Sequence, residues 1–282
     1  MADATGQADI RAESFSRIVK GFALQQYKLM QLAMIESSSA ETETYFREDA
    51  ADLVGGTDQE VKGIPRLTKF PYGEVKWTKV QGVNLKHGME GVISMEDIRL
   101  NHIPMITRTL LRIARAVTKS VDNEIASNIL SEAGQTQAAN DTWNSSTLAN
   151  QDPIGDILKA KSLLSIQNYD PDRNGFLLLH PTNAAEMLGN ANVRNAGQFY
   201  TDAVTKNGVI GRMIGLTIII SNSITEGGAQ VVIAKQALTW KSVIGLSVHS
   251  IVDPGIDHTI RAFQMGQVQV TDTNAICKIT GI

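Results

Sequence analysis

The chain has 282 residues, of which 43% are hydrophobic, with a formal net charge of -3 and a pI near 6.0. That is enough apolar material to bury the core of one large domain or two ordinary ones, and the missing basic excess argues against a dedicated nucleic-acid binder. The single cysteine, Cys277, excludes an intramolecular disulfide and a multi-cysteine zinc site and reads as a buried small hydrophobe.

No run approaches a membrane span, and Arg17, Lys20 and the pair Gln25-Gln26 interrupt the N-terminal apolar residues, so neither a signal peptide nor an anchor is expected. Ser14 to Ile35 has Phe15, Ile18, Val19 and Phe22 at helical spacing and is predicted as an amphipathic helix. Glu36 to Glu60 carries eight acidic residues against one basic, and Val61 to Ile93 carries six basic against two acidic. Neighbouring segments of opposite sign can attract each other or their copies. Within the basic segment, Glu74 to Val80 and Val83 to His87 read as two strands of a ribbon with too few apolar residues to cover one face, which makes it dependent on a neighbour.

Pro104 opens the longest helical pattern, reaching about Glu132. Ile106, Leu110, Ile113, Val117 and Val121 form an apolar stripe, and Arg108, Arg112, Arg115 and Lys119 form a basic stripe opposite. The basic stripe suits a phosphate-facing surface or a solvated face with ion pairs to acidic neighbours. Gly134 to Asp152 is polar and reads as a loop, and Ile154 to Gln167 as a helix. Phe176 to Leu179 reads as a strand leading into a short helix with Thr182 as its N-cap. Gly208, Gly211 and Gly215 precede the apolar run Leu216 to Ile220. A phosphate-cradling loop has the reverse order, strand before glycines, so these glycines shape a turn into a buried strand. Further strands are expected at Val231 to Ala234, Leu246 to Val252, Thr259 to Gln264 and Ala275 to Ile279, which makes the chain α+β.

No hydrolase, zincin or EF-hand motif is present, and His87, His102, His180, His249 and His258 are scattered. Asp253 to His258, "DPGIDH", crowds two acids and a histidine at a turn between strands. The expectation is a protein that is not an enzyme and has no cofactor or metal.

The order of elements resembles the major capsid proteins of tailed bacteriophages, the Hong Kong 97-type fold, a resemblance that extends to coats of tailed archaeal viruses. It is carried by "GVISMEDIRLNHIPMITRTLLRIARAVTKSVDNEIASNIL", "FLLLHPTNAAEML", "GVIGRMIGLTIIISNSI", "VVIAKQALTW" and "RAFQMGQVQVTDTNAICKITG", in that order. The resemblance implies an N-terminal arm (1–60), an extended β-hairpin loop (61–94), a peripheral domain with a long spine helix (95–152), an axial domain (153–245) and return strands to the peripheral domain (246–282). It implies a loop that lies over a neighbouring subunit, with Lys69, Lys76, Trp77, Lys79 and Lys86 at the subunit interface. The stripe Arg108, Arg112, Arg115 and Lys119 would face DNA or another subunit, and Gly208, Gly211 and Gly215 would form the axial turn and strand. The implied function is a coat that self-assembles through hexamers and pentamers into an icosahedral shell around double-stranded DNA contacted non-specifically. Assembly would use a separate scaffolding protein or none, with a portal as a further candidate partner, and the virion capsid, assembled in the host cytoplasm, would be the location.

Neither a fused scaffolding domain nor an inserted immunoglobulin-like domain is expected. Some members of the fold join a loop lysine to an asparagine on a neighbour beside a glutamate. Here Asn274 has no glutamate near it in sequence, the last being Glu226, so no crosslink is expected. The rival readings are an encapsulin-type nanocompartment shell around protein cargo and a cytosolic α+β enzyme.

Overall fold

The computed structural model describes residues 17–21, 27–48, 54–55, 64–70, 73–74, 77–100, 105–147, 150–196 and 211–282. Fourteen strands are present among them. In chain order they are β1 (Met34–Ser37), β2 (Thr42–Glu48), β3 (Val54–Gly55), β4 (Gly73–Glu74), β5 (Trp77–Val83), β6 (Leu85–Ser94), β7 (Gln135–Ala138), β8 (Gly175–Leu179), β9 (Arg212–Met213), β10 (Leu216–Ile220), β11 (Gly228–Ile233), β12 (Leu238–Asp253), β13 (Asp257–Val270) and β14 (Ile276–Thr280). The helices are α1 (Met95–Leu100), α2 (Met105–Ser131), α3 (Pro153–Ile166), α4 (Pro171–Asn174), α5 (Pro181–Gly189) and α6 (Ala191–Ala196).

Two sheets carry the fold. One has the order β1-β12-β13-β6 and the other β7-β14-β11-β8-β10-β9. The helix α2 joins them. Its N-terminal half buries Leu110, Ile113, Ala114 and Val117 with Val248, Ile260 and Ala262 of the four-stranded sheet, and its C-terminal half buries Val121, Ile125, Ala126 and Ile129 in the larger core beneath the six-stranded sheet. The apolar stripe seen in the sequence therefore serves two cores in succession, which is why it runs for 27 residues.

The six-stranded sheet is apolar on both faces at its centre: Leu177, Leu178, Leu179, Val231 and Val232 are fully buried. Near-continuous apolar runs of this kind belong to strands covered on both sides. Helix α3 starts with Pro153 and an Asp152 side chain that accepts from the Gly155 N–H. Trp143, in the segment expected to be only a loop, is buried and donates its indole N–H to Asp156 at 3.2 Å.

Several expectations are corrected. The helix predicted from Ser14 to Ile35 is helical at 17–21, but Met30–Leu32 is a 3-10 turn and Ile35 lies in β1, paired in parallel with Trp240 of β12; residues 14–16 and 22–26 lie outside the described residues. Tertiary partners decide this. The Asp122 carboxylate of α2 accepts from the Lys28 and Leu29 N–H groups at 3.1 and 3.2 Å and so caps the 3-10 turn, whose own cap residue, Leu29, has no side-chain bond to offer. The strands expected at Glu74 to Val80 and Val83 to His87 fall at β5 and β6, and they do not pair with each other: β5 pairs with β2, and β6 with β13. Gln135–Ala138, in the polar loop, is a strand parallel to β14. The last strand joins the six-stranded sheet and not the one that holds β12 and β13. His180, not Thr182, caps α5: its Nδ1 accepts from the Thr182 N–H at 3.3 Å, with Pro181 in the first helical turn. Cys277 is buried, and burial pushes its thiol up to about 12.

Candidate assembly surfaces: the ribbon, the basic helix face and the glycine turn

Strands β2 and β5 pair antiparallel over seven positions, from Thr42 opposite Val83 to Glu48 opposite Trp77, and β3 continues the pairing with β4. The outgoing strand comes from the acidic segment and the returning strand from the basic one. The register nevertheless sets no acid opposite a base: Glu43 faces Gly82, Glu48 faces Trp77 and Lys79 faces Phe46.

Side chains on a strand alternate between faces. Glu43, Tyr45 and Arg47 turn toward the body: Glu43 accepts from Gln269, and Arg47 is ion-paired with Glu132 at 2.5 Å. Gly82 belongs to this face, because a Cβ there would lie 2.3 Å from the Gln267 Oε1. The other face carries Phe46, Trp77, Lys79, Gln81 and Val83 and is exposed; Phe46 is 58% and Trp77 51% accessible. Residues 64–70, which belong to the connection between the two strands, present Leu67 and Phe70 to solvent, with Leu67 at a φ of 67°. The basic character recognised in the sequence is therefore accompanied by an apolar face. Phe46, Leu67 and Phe70 were not singled out from sequence; the alternation in "TETYFRE" was the available signal.

The root of the ribbon is a cluster of acids. Glu48 bridges to Asp272, and its N–H donates to the Thr271 carbonyl at 2.8 Å. Desolvation first, and the Asp272 charge second, push the Glu48 carboxyl up. Burial likewise raises Asp272, against the hydrogen bond donated by the Tyr169 hydroxyl at 2.6 Å. Asn274, whose side chain accepts from Gln135 at 3.4 Å, lies two residues from Asp272.

Of the lysines assigned to the loop, Lys69 and Lys79 are exposed, Lys76 lies outside the described residues, and Lys86 sits over the Phe263 ring of its own chain at 4.4 Å. An amine that is to attack an amide needs an adjacent base or burial to activate it, and the exposed Lys69 and Lys79 have no burial. Particles boiled in detergent are accordingly expected to run as one band near 30.6 kDa, and a ladder that survives reductant would contradict this.

On α2, Arg108, Arg112, Arg115 and Lys119 are all exposed, on the side away from Leu110, Ile113, Ala114 and Val117. Among the described residues no carboxylate pairs with any of them. Like charges three and four residues apart on a helix repel by about 0.2–0.5 kcal/mol per pair, so this face retains a standing repulsion.

The glycine turn lies elsewhere, at the end of the six-stranded sheet. Gly208 is outside the described residues. Gly211 accepts through its carbonyl from the Ile218 N–H at 3.2 Å. Gly215 has a φ of 82°, and a Cβ on it would lie 1.9 Å from the Asp172 Oδ1, which is held by Lys161. Replacing Gly215 by alanine is expected to cost about 1–2 kcal/mol, from the positive φ and the displaced Asp172. Urea denaturation of the variant checks this, and an unchanged midpoint would contradict it.

In the turn "DPGIDH", His258 is buried and its Nε2 lies 2.6 Å from the Ser250 hydroxyl. No group of three His, Cys, Asp or Glu side chains converges among the described residues.

A sequence-family model of phage capsid proteins matches residues 86–276. The chain belongs to that family. The coat protein begins its match at β6 and ends it at β14, so the ribbon precedes the matched region. The sequence has no match among curated proteins. Solved structures share the fold at low identity: Mycobacterium phage Che8, with a TM-score of 0.67 and 17% identity over 90% of this chain and 91% of that one; the capsid of cyanophage P-SCSP1u, with 0.64 and 14% over 89% and 86%; and a virus-like particle from Pyrococcus furiosus, with 0.64 and 10% over 95% and 98%. The coat protein is a structural shell subunit with the α+β capsid fold expected from its sequence.

Proposed function

We propose that the coat protein assembles through hexamers and pentamers into an icosahedral shell that encloses double-stranded DNA. The observation that carries this is the ribbon. One face of the ribbon packs on its own body through Glu43 and Arg47, whereas Phe46 and Trp77 on the other face and Leu67 and Phe70 in the connection are accessible, and a neighbouring subunit is the natural cover. In this reading the ribbon from β2 to β5 is the extended loop, with Lys69, Lys76, Trp77 and Lys79 at the contact and Lys86 at its base. Residues 95–152 and 246–282 supply the peripheral part except for β7 and β14, which complete the six-stranded sheet of the axial part, 153–245, where the turn at Gly208, Gly211 and Gly215 feeds strand β10. Chemically identical subunits close a shell by symmetric repetition of one contact. A separate scaffolding protein and a portal are the expected partners, and the host cytoplasm is the place of assembly.

Purified particles treated with nuclease and then opened test the cargo. Protected double-stranded DNA is the expected content. Particles that hold a protein and no nucleic acid would overturn the DNA reading in favour of a nanocompartment.

A further inference from the structure

We infer that the exposed face of α2 formed by Arg108, Arg112, Arg115 and Lys119 is a contact surface for the phosphate backbone of duplex DNA. This rests on the reading of a DNA-enclosing shell, and it assigns the surface of the subunit that the DNA touches.

The four cations stand in one row along a rigid helix, over a distance of roughly 16 Å at 1.5 Å per residue. All are exposed, and none has a carboxylate partner among the described residues. Three cations of the four-stranded sheet are engaged within the chain. Lys86 lies over Phe263, Arg261 bonds Glu90, and Lys241 bonds Glu36. In a chain of net charge -3, a row of four free cations is a local exception.

The chemistry of the row selects a polyanion of regular spacing. Three of the four cations are arginines, whose planar fork matches phosphate oxygens. Beyond Lys119 the exposed positions of the helix are Ser120, Asn123, Ser127 and Ser131, and no aromatic side chain accompanies the row, so it can hold phosphates without stacking on or reading bases. An acidic segment of a second copy is the other polyanion within reach. Of its described carboxylates, Glu36 is held by Lys241 and Glu43 accepts from Gln269, while Glu41 is exposed. The evenly repeated phosphates of duplex DNA match an extended row on one helix, and binding is expected to be independent of sequence.

The test uses the full chain before assembly and a labelled mixed-sequence duplex, with binding followed by fluorescence anisotropy between 50 and 200 mM salt. Four phosphate contacts give a log–log slope of about -3.6, a loss of about 150-fold over that range. The combined substitution Arg108→Gln, Arg112→Gln, Arg115→Gln and Lys119→Gln should abolish the slope and most of the affinity while the shell still assembles. The corresponding Arg→Lys triple variant, which keeps the charge, should retain the slope. If the fourfold variant does not fold, each single substitution should lower the slope by about 0.9. Unchanged binding and slope in the glutamine variants would overturn the proposal. So would loss of assembly with DNA binding intact, or stripe-dependent binding of a peptide of residues 36–60 in place of DNA, both of which would make the row a contact between subunits. Failure of the unaltered protein to form shells would count against the shell reading and leave the anisotropy result standing.

Discussion

Replacing Phe46 and Trp77 together by serine is expected to leave the subunit folded and to abolish its assembly. Both rings lie on the outer face of the ribbon, where half of each is open to water. A large aromatic side chain that is half exposed retains on the order of 100 Å². Covering both at ~25 cal/mol per Å² is worth about 5 kcal/mol per subunit before ordering costs are subtracted. Neither ring belongs to the two buried clusters, so the fold loses little. The contrast with Lys79 is informative. Exposed ion pairs contribute about 1 kcal/mol at most and weaken with salt, so Lys79→Glu should slow assembly in a salt-dependent way, whereas the double serine variant should fail at every salt concentration. Light scattering during assembly, with circular dichroism as the control for folding, checks both. Normal assembly by the double variant would remove the ribbon from the contact.

The second large effect is on stability. Asp122→Ala is expected to lower the unfolding free energy by about 3 kcal/mol. The carboxylate is 4% exposed and accepts from the N–H groups of Lys28 and Leu29. Its removal strands those donors where water reaches them poorly, at about 1–3 kcal/mol each for what remains buried. Burial pushes the Asp122 carboxyl above its ordinary range, and the backbone hydrogen bonds and the Lys28 charge offset only part of this. A folded-state pKa above the unfolded one means that the native state holds the proton longer. The contribution is then fully present below the unfolded value, near 4, and declines as pH rises through the folded value. Asp122→Asn keeps one acceptor, so it should cost less than alanine and remove that decline. Urea midpoints measured from pH 4 to pH 7 read both outcomes. A variant as stable as the parent would show that the N-terminal segment is held by other contacts.

How much of this was legible follows from where the deciding partner lies in the chain. Strand β10 was read to the residue because its own neighbours mark it: Gly215 at positive φ before it and a turn after Ile220. Helix α2 was equally plain, since its apolar period is internal to the helix. The pairing of the ribbon is not legible locally because β5 takes its partner from β2, across residues 49–76, and a window containing only β5 and β6 offers no sign that they pair elsewhere. Strand β7, "QTQA", has no apolar pattern at all and exists because β14 lends it a ladder. The segment after Tyr27 was read as helix because Met30, Ala33 and Met34 do have helical spacing; a carboxylate 93 residues away, and an edge on β12, override it. The basic row was visible from sequence, but that it has no acidic partners is a fact of packing.

The account rests most directly on assembly, and electron microscopy of the expressed full-length chain tests it. Closed particles, tubes or capsomers are expected, with or without a scaffolding protein. A folded monomer under every assembly condition, with scaffold supplied and its ribbon resistant to protease, would contradict the account.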